Sequence, residues 1–141
     1  MEKINTMDNN YGINSIPKTY KPFSPLKKYW LEITTLISTE DYCLKRIFMK
    51  KDSQSSLEFH VNKKESYYIE SGKLKIGFRI GRAINKSKII NKGEVIHINP
   101  GLMHMRIALE DTVIIEVSTK DSDSDSHLVE DGKKYKFKED K

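Results

Sequence analysis

The amino-acid sequence predicts an all-β single domain, a barrel or sandwich of short strands, on three observations. From Lys73 to Ile80, Leu74, Ile76, Phe78 and Ile80 alternate with Lys73, Lys75, Gly77 and Arg79, the period-2 pattern of a sheet with one wet face. Short runs rich in Ile, Val, Tyr and Phe are separated by Gly, Asn, Asp and Ser clusters every eight to twelve residues. Helical periodicity is sustained nowhere, and no solenoid-type repeat is present.

Taken in order, residues 1–19 are polar and aperiodic and predict a flexible N-terminal arm. Strands follow near 29–35, 42–49, 57–60, 66–71, 73–80, 94–98, 103–109 and 112–118, placing a β-barrel over residues 20–119. From Lys120 the chain mixes Asp121, Asp123 and Asp125 with Lys133, Lys134, Lys136 and Lys138, so 120–141 reads as a polar, loosely held C-terminal tail.

Composition narrows the function classes. The chain has 141 residues, 37% hydrophobic and 32% charged, which suits one core. No apolar run approaches the roughly 20 residues of a membrane span. The start, MEKINTMDNNYGINS, lacks the features of a secretory or transit signal, and the expected location is cytoplasmic. Cys43 is the single cysteine, which excludes an internal disulfide framework and a cysteine metal cluster. Net charge is +5, but nine basic residues lie between Lys63 and Lys92 against only Glu65 and Glu70. That segment reads first as a solvated outer sheet face and hairpin, and second as a field steering an anionic ligand. It lacks the aromatic interleaving or helical basic stripe of a nucleic-acid binder.

Two punctuated segments carry the chemistry. Glu58, His60, Glu65 and Gly72 are spaced E-x-H-x4-E-x6-G, and Gly93, Asn99, Gly101 and His104 are spaced G-x5-N-x-G-x2-H. Residues two apart on a strand share a face, so Glu58 and His60 point into the barrel while Phe59 points away. Glu65 begins the next strand, and His104 arrives behind the Asn99-Pro100-Gly101 corner. Two imidazoles and two carboxylates converging in this way suit one divalent ion, Zn²⁺ or Mn²⁺, with Fe²⁺ as the third choice. Glu58 is either a ligand or a base beside the ion.

These spacings resemble the two motifs of the cupin superfamily, in which His or Gln usually stands at the Glu58 position and Pro at the Asn99 position. The run SSLEFHVNKKESYYIESG is similar to the segment S-L-Q-x-H-x-x-R-x-E-H-W-x-V-x-x-G of the cupin domain of type II mannose-6-phosphate isomerases. GEVIHINPGLMH and VIIEVST resemble that family's barrel-closing strands, and Tyr20-Lys21-Pro22-Phe23-Ser24 resembles its entry motif K-P-W-G. The resemblance extends from about Tyr20 to Asp131. It implies a cupin jelly-roll, the double-stranded β-helix barrel, and metal-dependent chemistry on a sugar phosphate. It also places Lys63 at the position of the family's arginine. The family's closing segment D-D-I-V-R-x-x-D-x-Y-G-R is matched here by DSDSDSHLVEDGKKY, with Leu128 and Tyr135 in place of its arginines.

Beside the metal set, Lys21, Lys63 and Arg106 are candidates for the substrate phosphate, and Tyr67 for lining the barrel or stacking on a sugar ring. Arg106 shares the face of His104 in a regular strand, and a bulge would turn it to solvent. His97 reads as a partly exposed barrel histidine, His127 as a solvated tail residue, and Trp30 and Phe48 as core. The leading function is a metal-dependent sugar-phosphate isomerase of sugar-nucleotide or polysaccharide precursor synthesis, with Glu58 and Glu65 as acid and base. A non-catalytic cupin that binds metal and sugar and partners a nucleotidyltransferase is the alternative. A small Fe²⁺ oxygenase fits less well, because such sites use more imidazoles. The expected partners are a small anionic sugar, with neither membrane nor nucleic acid, and a second copy of the chain, pairing through the stretch Tyr29 to Ile37.

Overall fold

The β-branched and aromatic residues that punctuate the sequence form eleven strands, and the computed structural model describes residues 13–141. The expected arm therefore lies mostly outside the described residues. The strands are β1 (Leu26–Lys28), β2 (Leu31–Ser38), β3 (Tyr42–Met49), β4 (Leu57–Phe59), β5 (Glu65–Ser71) and β6 (Lys73–Ile80), then β7 (Ile84–Asn91), β8 (Val95–Ile98), β9 (Met103–Ala108), β10 (Thr112–Thr119) and β11 (His127–Glu130). One sheet runs in the order β1-β2-β3-β10-β5-β8 and the other β11-β4-β9-β6-β7, with every pairing antiparallel. This is the jelly roll expected for the barrel. Its inner faces share a core of Trp30, Leu31, Ile47, Met49, Tyr67, Ile69, Leu74, Ile76, Ile90, Ile98, Ala108 and Ile114.

Burial follows the alternation. On β6, Leu74 and Ile76 are sealed while Lys73 and Lys75 are only half-buried. The basic hairpin is β6 and β7, the latter formed by INKSKIIN, whose lysines stand on an edge strand where charge discourages pairing with another chain. Gly72, between β5 and β6, has φ of +87° and packs against Asp111 and Thr112, so the backbone sense and the close approach both require glycine.

Three expectations change. The segment from Lys120 is not loosely held: β11 pairs with β4, and the chain beyond it lies across the five-stranded sheet. Gln54 donates to the carbonyls of Gly132 and Tyr135, and the Phe137 ring covers Gly77. Glu139 and Asp140 bond Ser87 and Asn85 on β7, placing acidic groups among the hairpin's lysines. A tail this polar still docks because its few apolar rings cover a sheet position without a side chain. His127 belongs to β11 rather than to a tail and stacks on Phe59 with ring centroids 4.9 Å apart, while its side chain stays 42% exposed. The edge expected to pair with a second copy is partly covered, because β1 runs along the start of β2 and Phe23 N–H donates to Thr35 O at 2.9 Å.

Candidate functional site

Every second residue of a strand faces the barrel interior, and toward one end those positions turn from apolar to charged. On β5 the inward series is Ile69, Tyr67, Glu65, and on β10 it is Ile114, Glu116, Ser118. On β9 it is Ala108, Arg106, His104, and on β3 it is Ile47 then Lys45. The interior there opens as a cavity of about 520 Å³ lined by Glu58, His60, Lys63, Glu65, Arg106 and Glu116, with Phe23, Lys28 and Leu128 nearer its mouth. An apolar core thus closes one end of the barrel and a polar site occupies the other.

Glu58, His60 and His104 present donor atoms that all lie within 4.8 Å of one another. Glu58 and His104 are register partners across β4 and β9, so strand pairing brings them together. Glu65 Oε1 lies 2.8 Å from His104 Nε2 and 3.7 Å from His60 Nε2, and Glu58 Oε1 lies 3.8 Å from His60 Nε2. Both imidazoles are oriented from behind. Nδ1 of His60 faces the Asp125 carbonyl at 3.1 Å and Nδ1 of His104 faces that of Leu102 at 2.9 Å. A carbonyl only accepts, so each Nδ1 carries a hydrogen and each ring turns its Nε2 toward the carboxylates. His104 Nε2 is buried and makes no hydrogen bond despite the nearby Glu65 oxygen. Two lone pairs from nitrogen set against carboxylate oxygens fit a divalent cation between them, and the donor types suit zinc, manganese or iron.

The two carboxylates differ. Glu58 is 29% exposed at its side chain and reaches the cavity, whereas Glu65 is 2% exposed. Burial alone would raise the Glu65 carboxyl, but His104, the Lys63 ammonium and the Tyr67 hydroxyl hold it well below the usual carboxylate range. Tyr67 O–H donates to Glu65 Oε1 at 2.6 Å.

The three candidate phosphate binders differ in placement: Lys63 and Arg106 line the cavity, where Arg106 Nε and Nη1 are buried without a hydrogen bond, and Lys21 does not. Lys63 Nζ is buried 3.3 Å from Glu65, 3.3 Å from Glu116 and 3.1 Å from Asp121. Burial would lower its ammonium, yet those carboxylates push it well above the usual lysine range. Arg106 faces inward on a regular stretch of β9, which decides between the two orientations the sequence allowed. Its guanidinium carbon lies 5.0 Å from the Trp30 ring centre and 5.4 Å from that of Tyr67, with Glu116 3.6 Å from Nη1. Tyr67 is fully buried as a wall of the core beneath the site. Lys21 is exposed in a separate shallow hollow of the 18–24 segment. His97 is exposed and shares a 2.8 Å hydrogen bond with Ser66, as a barrel-surface histidine.

Four site residues were not legible as such. Glu116 was available from alternation on β10, since it is the charged residue of an otherwise apolar run. Asp121 and Asp125 lie in the segment read as tail, and nothing local marks them as partners of residues 60–63. Lys28 lines the cavity from β1, a strand too short to register as one.

A cupin family model matches residues 34–134 of the chain. No curated protein sequence matches it. Among solved structures, KdgF from Halomonas sp. superposes with a TM-score of 0.63 at 13% identity, covering 72% of this chain and 90% of that one. The capsular polysaccharide assembling protein CapF from Staphylococcus aureus gives 0.67 at 22% identity, covering 79% of this chain and 32% of CapF. Oxalate decarboxylase from Bacillus subtilis gives 0.65 at 15% identity, covering 82% of this chain and 33% of the enzyme. The chain spans about a third of the length of CapF and of the decarboxylase. At these identities the likeness is one of fold.

Proposed function

The chain belongs to the cupin family over residues 34–134, and from that premise we propose that it is a metal-dependent sugar-modifying enzyme, an aldose-ketose isomerase of the mannose-6-phosphate isomerase type. The observation that supports this reading is the pair of Nε2 atoms turned toward Glu58 and Glu65 on the wall of an open polar cavity. Glu58, His60, Glu65 and His104 hold the ion in this reading, Zn²⁺ or Mn²⁺ before Fe²⁺. Bound there, a divalent ion supplies Lewis acidity toward the carbonyl and hydroxyl oxygens of an open-chain sugar.

The chain's own groups supply the rest. Glu58, which reaches the cavity, takes and returns the proton between C1 and C2. Glu65 is tied by Lys63, His104 and Tyr67, so its part is to hold charge and orient the imidazoles rather than to exchange protons. A cavity of about 520 Å³ accommodates a monosaccharide derivative. Arg106, whose Nε and Nη1 are buried on the cavity wall without a hydrogen bond, and Lys28, which makes no ion pair among the described residues, supply the positive charge for a phosphate in this reading. The fold likeness to CapF, a capsular polysaccharide assembling protein, lends support to a role in polysaccharide or sugar-nucleotide precursor synthesis. A cytoplasmic location and a homodimer belong to the same reading. Among the described residues no helix is long and apolar enough to cross a membrane.

One observation favours a second reading. Lys63 and Lys45 are both committed to carboxylates, and Leu128 lines the cavity where the resemblance would place an arginine. A non-catalytic cupin that binds a sugar or sugar nucleotide and partners a nucleotidyltransferase makes the same use of the cavity without turnover. Metal analysis of the purified protein, followed by isomerase assays and calorimetric titration with mannose 6-phosphate and other sugar phosphates, separates the two. Turnover that disappears on chelation and in Glu58→Gln supports the isomerase. Saturable binding without turnover supports the second reading, and neither binding nor turnover with any sugar removes both.

A further inference from the structure

Asp125 sits in a one-turn 3-10 helix, Asp123–Asp125, in a part of the chain that follows the last long strand. Its residue exposure is 8%, and both carboxylate oxygens are turned onto the loop that leaves β4. Oδ1 accepts the backbone N–H of Val61 at 2.8 Å and of Asn62 at 3.2 Å. Oδ2 accepts those of Asn62 at 3.1 Å and Lys63 at 2.9 Å. The same residue's carbonyl oxygen receives Nδ1–H of His60. Four residues earlier, Asp121 pairs with Lys63 Nζ, so the segment grips the 60–63 loop at both ends.

We propose that Asp125 is a positioning residue for the metal-binding histidine, locking the His60 ring and the 61–63 loop in the conformation that turns Nε2 toward His104. The inference rests on Glu58, His60 and His104 being ligands. Its reason is geometric. A lone carbonyl can orient an imidazole only if the carbonyl is itself fixed, and here the side chain of the same residue fixes it by accepting hydrogen bonds from three backbone amides of the loop that carries the ring. The arrangement needs a carboxylate. Both oxygens accept, so an asparagine would satisfy one side of the amide cluster and face the other with N–H against N–H.

By linkage the effect is reciprocal, because a clamp that favours the bound ring is itself closed by binding. Outer partners of metal-bound histidines typically carry about 10–100-fold of the affinity, and that is the loss expected in Asp125→Asn. Zn²⁺ affinity of the full chain is measured by competition with a chromophoric chelator, well below the melting temperature of each variant, for wild type, Asp125→Asn and Phe137→Ala. Phe137→Ala uncovers Gly77 and loosens the docked C-terminal segment without touching the cavity or the 60–63 loop, so its affinity should stay within about threefold of wild type, a tolerance set below that outer-partner range. A general loosening of the fold would weaken both variants alike. Hydrogen exchange on the wild-type protein gives a second reading that does not depend on a variant folding. The amides of residues 61–63 should exchange more slowly when Zn²⁺ is added.

Weakening in Asp125→Asn alone, with added protection of those amides, supports the proposal. Zn²⁺ binding by wild type with equal affinity in Asp125→Asn, or with no change in amide exchange, overturns the positioning role and leaves the metal site standing. Absence of Zn²⁺ binding by wild type overturns the metal site and the positioning role together.

Discussion

Lys63→Met removes one positive charge from the most heavily charged part of the interior while keeping an unbranched, apolar stem of similar length. The ammonium it deletes lies 3.1 to 3.3 Å from three carboxylates and its side chain is 6% exposed. At 3.3 Å and an effective dielectric near 20, one such pair attracts by about 5 kcal/mol, and desolvation offsets much of it. The three acids do not all lose their only cation, because Asp121 keeps Lys45 at 2.6 Å and Glu116 keeps Arg106. Breaking a buried pair by removing one partner costs about 3–5 kcal/mol, and that is the loss expected here. It is a large part of the roughly 5–15 kcal/mol that holds a domain folded, and corresponds to about 10–20 °C in melting temperature for a chain of this size.

The assay is urea unfolding of wild type and variant with a chelator present, repeated across pH. Glu65 and Asp121 are both held below their ordinary values of 4.5 and 3.8 in the folded protein, against the opposing effect of burial. Such groups contribute stability above the ordinary value and lose it as pH falls through the folded one. The gap between wild type and Lys63→Met should therefore be full at pH 7 and narrow below about pH 4. A loss under about 1 kcal/mol at pH 7, the size of a surface pair, would refute the reasoning by showing that water screens the cluster. A gap that does not change with pH would locate the loss in packing instead.

Further outcomes follow from the same geometry. His60→Ala and His104→Ala should each lose most bound metal by elemental analysis, Glu58→Gln should retain it with altered metal preference or activity, and His97→Ala should match wild type. Gly72→Ala places a Cβ against the Asp111 carbonyl at positive φ, and the strain and overpacking together should cost about 2–5 kcal/mol in chemical denaturation. Phe137→Ala uncovers Gly77 and should make residues 131–141 sensitive to limited proteolysis without changing metal content. Light scattering should return a dimer at micromolar concentration, and a mass near 16.4 kDa would count against it.

Much of this molecule is local, and what is local can be read in one dimension. Alternation placed β6, turn residues placed the corners before Lys73 and His104, and parity alone put Glu58 with His60 and set Phe59 apart. The metal-binding candidates were legible because strand geometry fixes side-chain direction every two residues. Other features were fixed only when distant segments met. Lys63, a phosphate ligand by motif position, became the counter-ion of Glu65, Glu116 and Asp121, since burial among carboxylates depends on residues more than 50 positions away. The segment after Lys120 looked like tail because many of its partners, the 61–63 amides, Gly77 and the Asn85 N–H, are backbone groups and a missing side chain, and the rest lie more than 50 positions away, so they leave no local mark in composition. A sequence states which groups a chain offers and which way a strand turns them. Which charges neutralise one another, and which loop is held still behind a histidine, depends on distances that only the closed barrel sets.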